Sequence, residues 1–128
     1  MQIENKKPIN VIAGYVRDLA TEIPIYKYQM NEDENSIPKS YILLRSDLSN
    51  STLLFGDGKS EIRQSDCDII LITKGSVTST NSTHVKNIKK ITDLLNSKEI
   101  PFTSFDLGYD KNLGANQYTF SVTVNYYG

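Results

Sequence analysis

Gln117-Tyr118-Thr119-Phe120-Ser121-Val122-Thr123-Val124-Asn125-Tyr126-Tyr127 alternates ring-bearing or branched apolar residues with small polar ones. Successive side chains of a strand point to opposite faces, so Tyr118, Phe120, Val122, Val124 and Tyr126 share one face. Thr119, Ser121, Thr123 and Asn125 share the other. One apolar face and one hydroxyl-rich face fit an antiparallel sheet that helices cover on one side only.

Working back along the chain, Asp68-Ile69-Ile70-Leu71-Ile72-Thr73 is a β-branched run closed by Lys74-Gly75. It is too short for a helix and apolar on both faces, which predicts a central strand. Residues 102–107 predict a further strand, joined to the last one through residues 108–116, whose glycines and asparagines favour a mobile turn. Residues 41–45 and 52–55 are short strand-forming runs around the polar Ser46-Asp47-Leu48-Ser49-Asn50-Ser51, a pattern that predicts a hairpin or meander pair.

Two segments carry helical spacing instead. Between Pro8 and Ile23, the residues Ile12, Tyr15, Val16, Leu19 and Ile23 recur every three or four positions and define one face. Pro8 suits a first helical turn, and Pro24 stops the helix. A hydroxyl-rich stretch, residues 76–83, supplies caps for a second helix over residues 84–97, with Val85, Ile88, Ile91 and Leu95 on its inner face. Helix, strands, helix, strands, without a repeating βαβ rhythm, predicts an α+β fold, a mainly antiparallel sheet with two amphipathic helices packed on one face. The length of 128 residues suits a single domain spanning 1–128.

Composition excludes some roles. Fourteen basic and 15 acidic residues leave a net charge of -1, so no overall field favours nucleic acid or an anionic membrane. No run approaches the roughly 18 apolar residues of a membrane span, and Met1-Gln2-Ile3-Glu4-Asn5-Lys6-Lys7-Pro8 lacks the apolar centre of a signal peptide, which points to a cytoplasm. Cys67 stands alone, so it forms no internal disulfide, and its apolar neighbours predict a small buried hydrophobe.

The motifs that carry chemistry are incomplete. Gly56-Asp57-Gly58-Lys59-Ser60 ends like a phosphate-binding loop, but Leu53 stands where the first glycine belongs, and the following residues predict a strand where the loop needs a helix. A β-turn accounts for the segment. Asp66 and Asp68 flank Cys67 at strand spacing and so share a face, as a cation-dependent nuclease requires, but no spacing selects further ligands. His84 is the only histidine and opens a helix, without the second imidazole of a metal site or the nucleophile of a triad, and is expected at the surface. No catalytic residue, metal site or cofactor is expected. Lys86, Lys89 and Lys90 follow one side of the second helix, a solvated face. Eight tyrosines with no tryptophan are many for one domain, and tyrosine is favoured where surface becomes interface.

The succession of the opening helix, Ile23-Pro24-Ile25-Tyr26, Tyr41-Ile42-Leu43-Leu44, Asp68-Ile69-Ile70-Leu71-Ile72-Thr73, a helix ending Leu94-Leu95-Asn96, Ile100-Pro101-Phe102 and the closing strand to Asn125-Tyr126-Tyr127-Gly128 covers most of the chain. It resembles the tail terminator and tail-completion proteins of bacteriophages. That resemblance implies a virion subunit, assembled in the host cytoplasm, that joins copies of itself into a ring at the tail end or the head-to-tail junction. It also implies neighbouring tail or connector proteins as partners, with loops touching the adjoining ring. The acidic loop at Glu32, Asp33 and Glu34, the hydroxyl loop at Thr78, Ser79 and Thr80, and the turn residues Tyr109, Lys111 and Asn112 are the expected contacts. A small protein-binding adaptor using the acidic loop and the tyrosines is the alternative.

Overall fold

A computed structural model describes residues 8–29, 37–46, 51–54, 61–75 and 82–127, excepting the side chains of 51–54, 61–64, 82 and 125–127. The chain runs α1 (Pro8–Val16), a 3-10 turn (Arg17–Leu19), β1 (Ile25–Lys27), β2 (Ser40–Ser46), β3 (Ser51–Leu54), β4 (Glu61–Lys74), α2 (Ser82–Ser97), β5 (Thr103–Asp110) and β6 (Ala115–Tyr127). A six-stranded sheet has the order β1-β2-β4-β6-β5, with β3 paired to β4 beside that path. Every pairing is antiparallel except that of β1 with β2. The α+β architecture with a mostly antiparallel sheet is therefore as the sequence predicts.

The run 68–73 does form the centre of the sheet. β4 is 14 residues long, on the order of 45 Å at strand rise, and pairs with β6 from Ile62 to Lys74. Its other side takes two strands in succession, β2 from Ser40 to Ser46 and then β3 from Ser51 to Leu54. The predicted hairpin or meander pair of residues 41–45 and 52–55 is thus corrected over its described residues, since 41–45 and 52–54 pair with β4 and not with each other. Laid end to end, they satisfy the backbone donors and acceptors that a mutual hairpin leaves open along β4.

Both helices lie on one face. Ile9, Ile12 and Val16 of α1, Leu19 and Ile23 beyond it, and Ile91 and Leu95 of α2 join Ile42, Leu44, Cys67, Ile69, Leu71, Phe120, Val122 and Val124 in one core. The apolar face of the last strand is the face that the sequence marks out. Pro8 opens α1 as expected, but the regular helix ends at Val16 and tightens into the 3-10 turn instead of running to Ile23. Leu19 and Ile23 keep their inward direction because the Ile23 N–H donates to the Leu19 carbonyl at 2.8 Å.

In α2 the predicted inner residues Ile88, Ile91 and Leu95 do pack on the core, but Val85 does not. A helical residue advances about 100° around the axis, so Val85, six positions before Ile91, falls roughly 120° off the inner line, whereas His84 falls within about 20° of it. Val85 is accordingly 57% exposed, and Asn87 is buried in its place.

The face away from the helices is not uniformly polar. Tyr41, Ile70, Ile72 and Ala115 form a second buried cluster there, packed against Tyr26, Ile37 and Leu43. The registers set Tyr26, Leu43, Ile70, Thr119 and Phe105 in one row across the sheet. The row two residues along reads Arg45, Asp68, Ser121 and Thr103. Among the described residues no helix is long and apolar enough to cross a membrane.

Candidate assembly surface

β5 closes the sheet order, so among the described residues one side of its backbone has no strand beside it. Its first five residues are all exposed. Phe105 is 55% and Leu107 59% exposed, large values for apolar side chains in a strand. The register slips between Asp106 and Gly108, and Gly108 adopts φ +74°, a left-handed conformation that glycine takes without strain. The Asp106 carboxylate fixes this bulge by accepting the Gly108 N–H at 2.8 Å.

Tyr109, Lys111 and Asn112 gather at the end of the β5–β6 hairpin, all three exposed. Within the segment 108–116 the turn is residues 111–114, with β5 running to Asp110 and β6 starting at Ala115. Asp110 holds it, its Oδ1 accepting the Asn112 N–H at 2.8 Å and its carbonyl accepting the Gly114 N–H at 2.7 Å. Tyr109 belongs to β5, and Leu113, 45% exposed, adds an apolar side chain to the tip. The other predicted contacts, Glu32, Asp33 and Glu34 and Thr78, Ser79 and Thr80, lie outside the described residues.

Phe105 and Leu107 are absent from the expected contact set. The available signal is strand parity: Phe102 packs against Phe120 in the core with ring centroids 5.6 Å apart, whereas Phe105 is an odd number of residues away. An extended chain therefore cannot put both rings on one face.

At the same end of the sheet as the β5–β6 hairpin, under the start of α2, lies a polar cluster. The Asn87 Nδ2 donates to Ser40 Oγ at 3.0 Å, Ser40 Oγ is 3.1 Å from Thr73 Oγ1, and Thr73 Oγ1 is 2.7 Å from His84 Nδ1. Donation in that order ends on Nδ1 of a neutral imidazole. Burial pushes the His84 pKa below its ordinary 6.5, and the charge of Asp106 opposes the shift. The expectation of a surface histidine is corrected: His84 is half-buried and caps the core. Thr73 is 5% exposed, which keeps its hydroxyl from an incoming substrate.

Asp66 and Asp68 do flank a buried Cys67 and share the outer face. Asp66 accepts a hydrogen bond from Thr123 Oγ1 at 3.0 Å. Burial first, then Asp68 and Asp66, pushes the Cys67 thiol up to about 12, which makes it a poor nucleophile. Among the described residues no group of three or more His, Cys, Asp or Glu side chains is arranged to hold a metal ion. β4 starts at Glu61, where a phosphate loop needs the first turn of a helix. On α2, Lys89 pairs with Asp93 at 3.3 Å and Lys90 with Glu22 at 2.7 Å, so part of the basic face is neutralised within the subunit.

No family model matches the sequence, and no curated protein matches it.

Proposed function

We propose that this protein is a structural virion subunit, joining copies of itself into a ring at the tail end of a bacteriophage or at its head-to-tail junction. The observation that supports this role is the free edge of β5, which presents Phe105, Leu107 and Tyr109 to solvent instead of to the protein's own core. An unpaired edge with large apolar side chains invites another chain, and monomeric proteins usually cover or charge such edges. The sequence resemblance to tail terminator and tail-completion proteins supports the choice of a phage assembly.

Light scattering after size separation, across a concentration series, tests the proposal together with electron micrographs of the largest species. Closed rings of one chain are the expected result. A protein that stays monomeric both at the highest concentration and beside phage tail or connector proteins removes the ring role and leaves the adaptor.

A further inference from the structure

β5 and β1 are the two ends of the sheet path, and their chemistry differs. β5, Thr-Ser-Phe-Asp-Leu-Gly-Tyr-Asp, contains Asp106 and Asp110 and no basic residue. β1, Ile-Tyr-Lys, contains Lys27 and no acidic residue. Lys27 is exposed and its Nζ donates to Asn10 Oδ1 at 2.9 Å, and among the described residues neither Lys27 nor Asp106 is in an ion pair. Tyr28, just after β1, is 45% exposed, which adds an apolar surface beside that edge.

Strand direction and face are compatible with a join. β1 runs with β2 and so against β4, while β5 runs with β4 because both oppose β6. A copy that continues the sheet with its helices on the same side therefore meets β5 with an antiparallel β1. Lys27 is level with the core residue Leu44, and Asp106 is level with Tyr118, which packs on the same core, so both side chains stand on the helix face. Tyr26 and Phe105 stand together on the other face, each at an end of the row through Leu43, Ile70 and Thr119.

We propose that the free edge of β5 takes the β1 edge of a second copy of this chain, continuing the sheet from subunit to subunit, with Lys27 against Asp106 on the helix face and Tyr26 level with Leu107 and diagonal to Phe105 on the other. The contact rests on the self-assembling role proposed above and names the surfaces that carry it. Because it joins unlike edges, it repeats head to tail and closes into a ring when the rotation per subunit permits. Pairing β5 with β5 would bring Asp106 and Asp110 of both copies to one seam without a cation, and facing like charges are unfavourable.

Four variants of the full chain, Lys27→Glu, Asp106→Lys, the two together and Phe105→Lys, test the seam by light scattering, with circular dichroism to confirm folding. Lys27→Glu and Phe105→Lys are each expected to raise the concentration needed for assembly at least about tenfold. The double charge reversal is expected to recover most of that loss. If Asp106→Lys disturbs the bulge that Asp106 holds, Lys27→Glu and Phe105→Lys decide the matter, since neither side chain supports β5 from within. A wild-type protein that assembles while Lys27→Glu and Phe105→Lys assemble equally well overturns the seam and leaves the ring role standing. A wild type that is monomeric at every concentration overturns the seam as a self-contact, and if neighbouring tail or connector proteins then drive ring formation, the ring role survives without it.

Discussion

Phe120 is fully buried on β6, whereas Phe105, one strand over on β5, is 55% exposed. The two side chains are identical, and their strands are paired. The difference comes from position in the sheet. β6 has β4 on one side, β5 on the other and α1 over its inner face, so Phe120 meets Tyr118 at 5.1 Å and Phe102 at 5.6 Å between ring centroids. Among the described residues β5 has a strand neighbour on one side only, and Phe105 points away from the helices. Burying a phenylalanine is worth about 1.5–3 kcal/mol, and for Phe105 most of that stabilisation is available only to a contact that covers it.

The interior side of this comparison carries the largest expected effect. Phe120→Ala removes a ring at the meeting point of α1, β4 and β6, and is expected to cost about 3–5 kcal/mol in urea denaturation. A loss below about 1 kcal/mol would mean that the core collapses around the cavity, and that the contrast between the two rings is smaller than their exposures imply.

Thr119 occupies the transition between interior and edge. It lies between Ile70 and Phe105 in the cross-sheet row, is 8% exposed, and its hydroxyl has no hydrogen-bond partner among the described residues. An unsatisfied buried hydroxyl costs about 1–3 kcal/mol, and valine has nearly the same shape. Thr119→Val is therefore expected to stabilise the protein by about 1 kcal/mol, read as a higher denaturation midpoint at unchanged m-value. A destabilisation of the same size would show that the hydroxyl does have a partner in solution.

How much of this was visible in the sequence depends on the range of the interactions involved. The faces of β6 were legible because strand alternation is local, and β4 because a run apolar on both faces has few other places to go. The inner face of α2 was only partly legible: His84 and Asn87 are polar, and hydropathy alone preferred Val85, although helical phase points to His84. β1 has three residues, too few to show a period, and its parallel pairing with β2 depends on where the chain returns. Edge status was not legible at all. Nothing within residues 103–110 records that β6 lies on one side of them and, among the described residues, no strand on the other, because that is set by pairings across the whole sheet. Tyr109, Lys111 and Asn112 are exposed, and the exposed apolar pair Phe105 and Leu107 is absent from the expected contacts.

The polar end of the core gives a smaller effect, with a definite sign. The folded pKa of His84 is depressed, so between that value and the ordinary 6.5 the unfolded chain binds more protons than the folded one. Stability is fully present above about pH 6.5, rises with pH across that window, and is lost as the pH falls through the folded pKa. His84 is the only histidine, so His84→Gln is expected to flatten the stability profile between about pH 5.5 and 7.5 while the wild type declines toward the acid side. Equal slopes in the two proteins would show that the chain from Asn87 through Ser40 and Thr73 does not hold the imidazole neutral.

The smallest effect on stability is expected where the comparison began, at the edge. Phe105→Ser removes a ring that is more exposed than buried, and substitutions at such sites usually change stability by no more than about 0.5 kcal/mol. The same substitution is expected to weaken self-association, because a side chain outside the core contributes only once a second chain covers it. Urea denaturation at low concentration and light scattering at high concentration separate the two quantities on one preparation. A stability loss approaching that of Phe120→Ala would mean that this subunit covers Phe105 by itself, and β5 would then be an interior strand in all but sheet order.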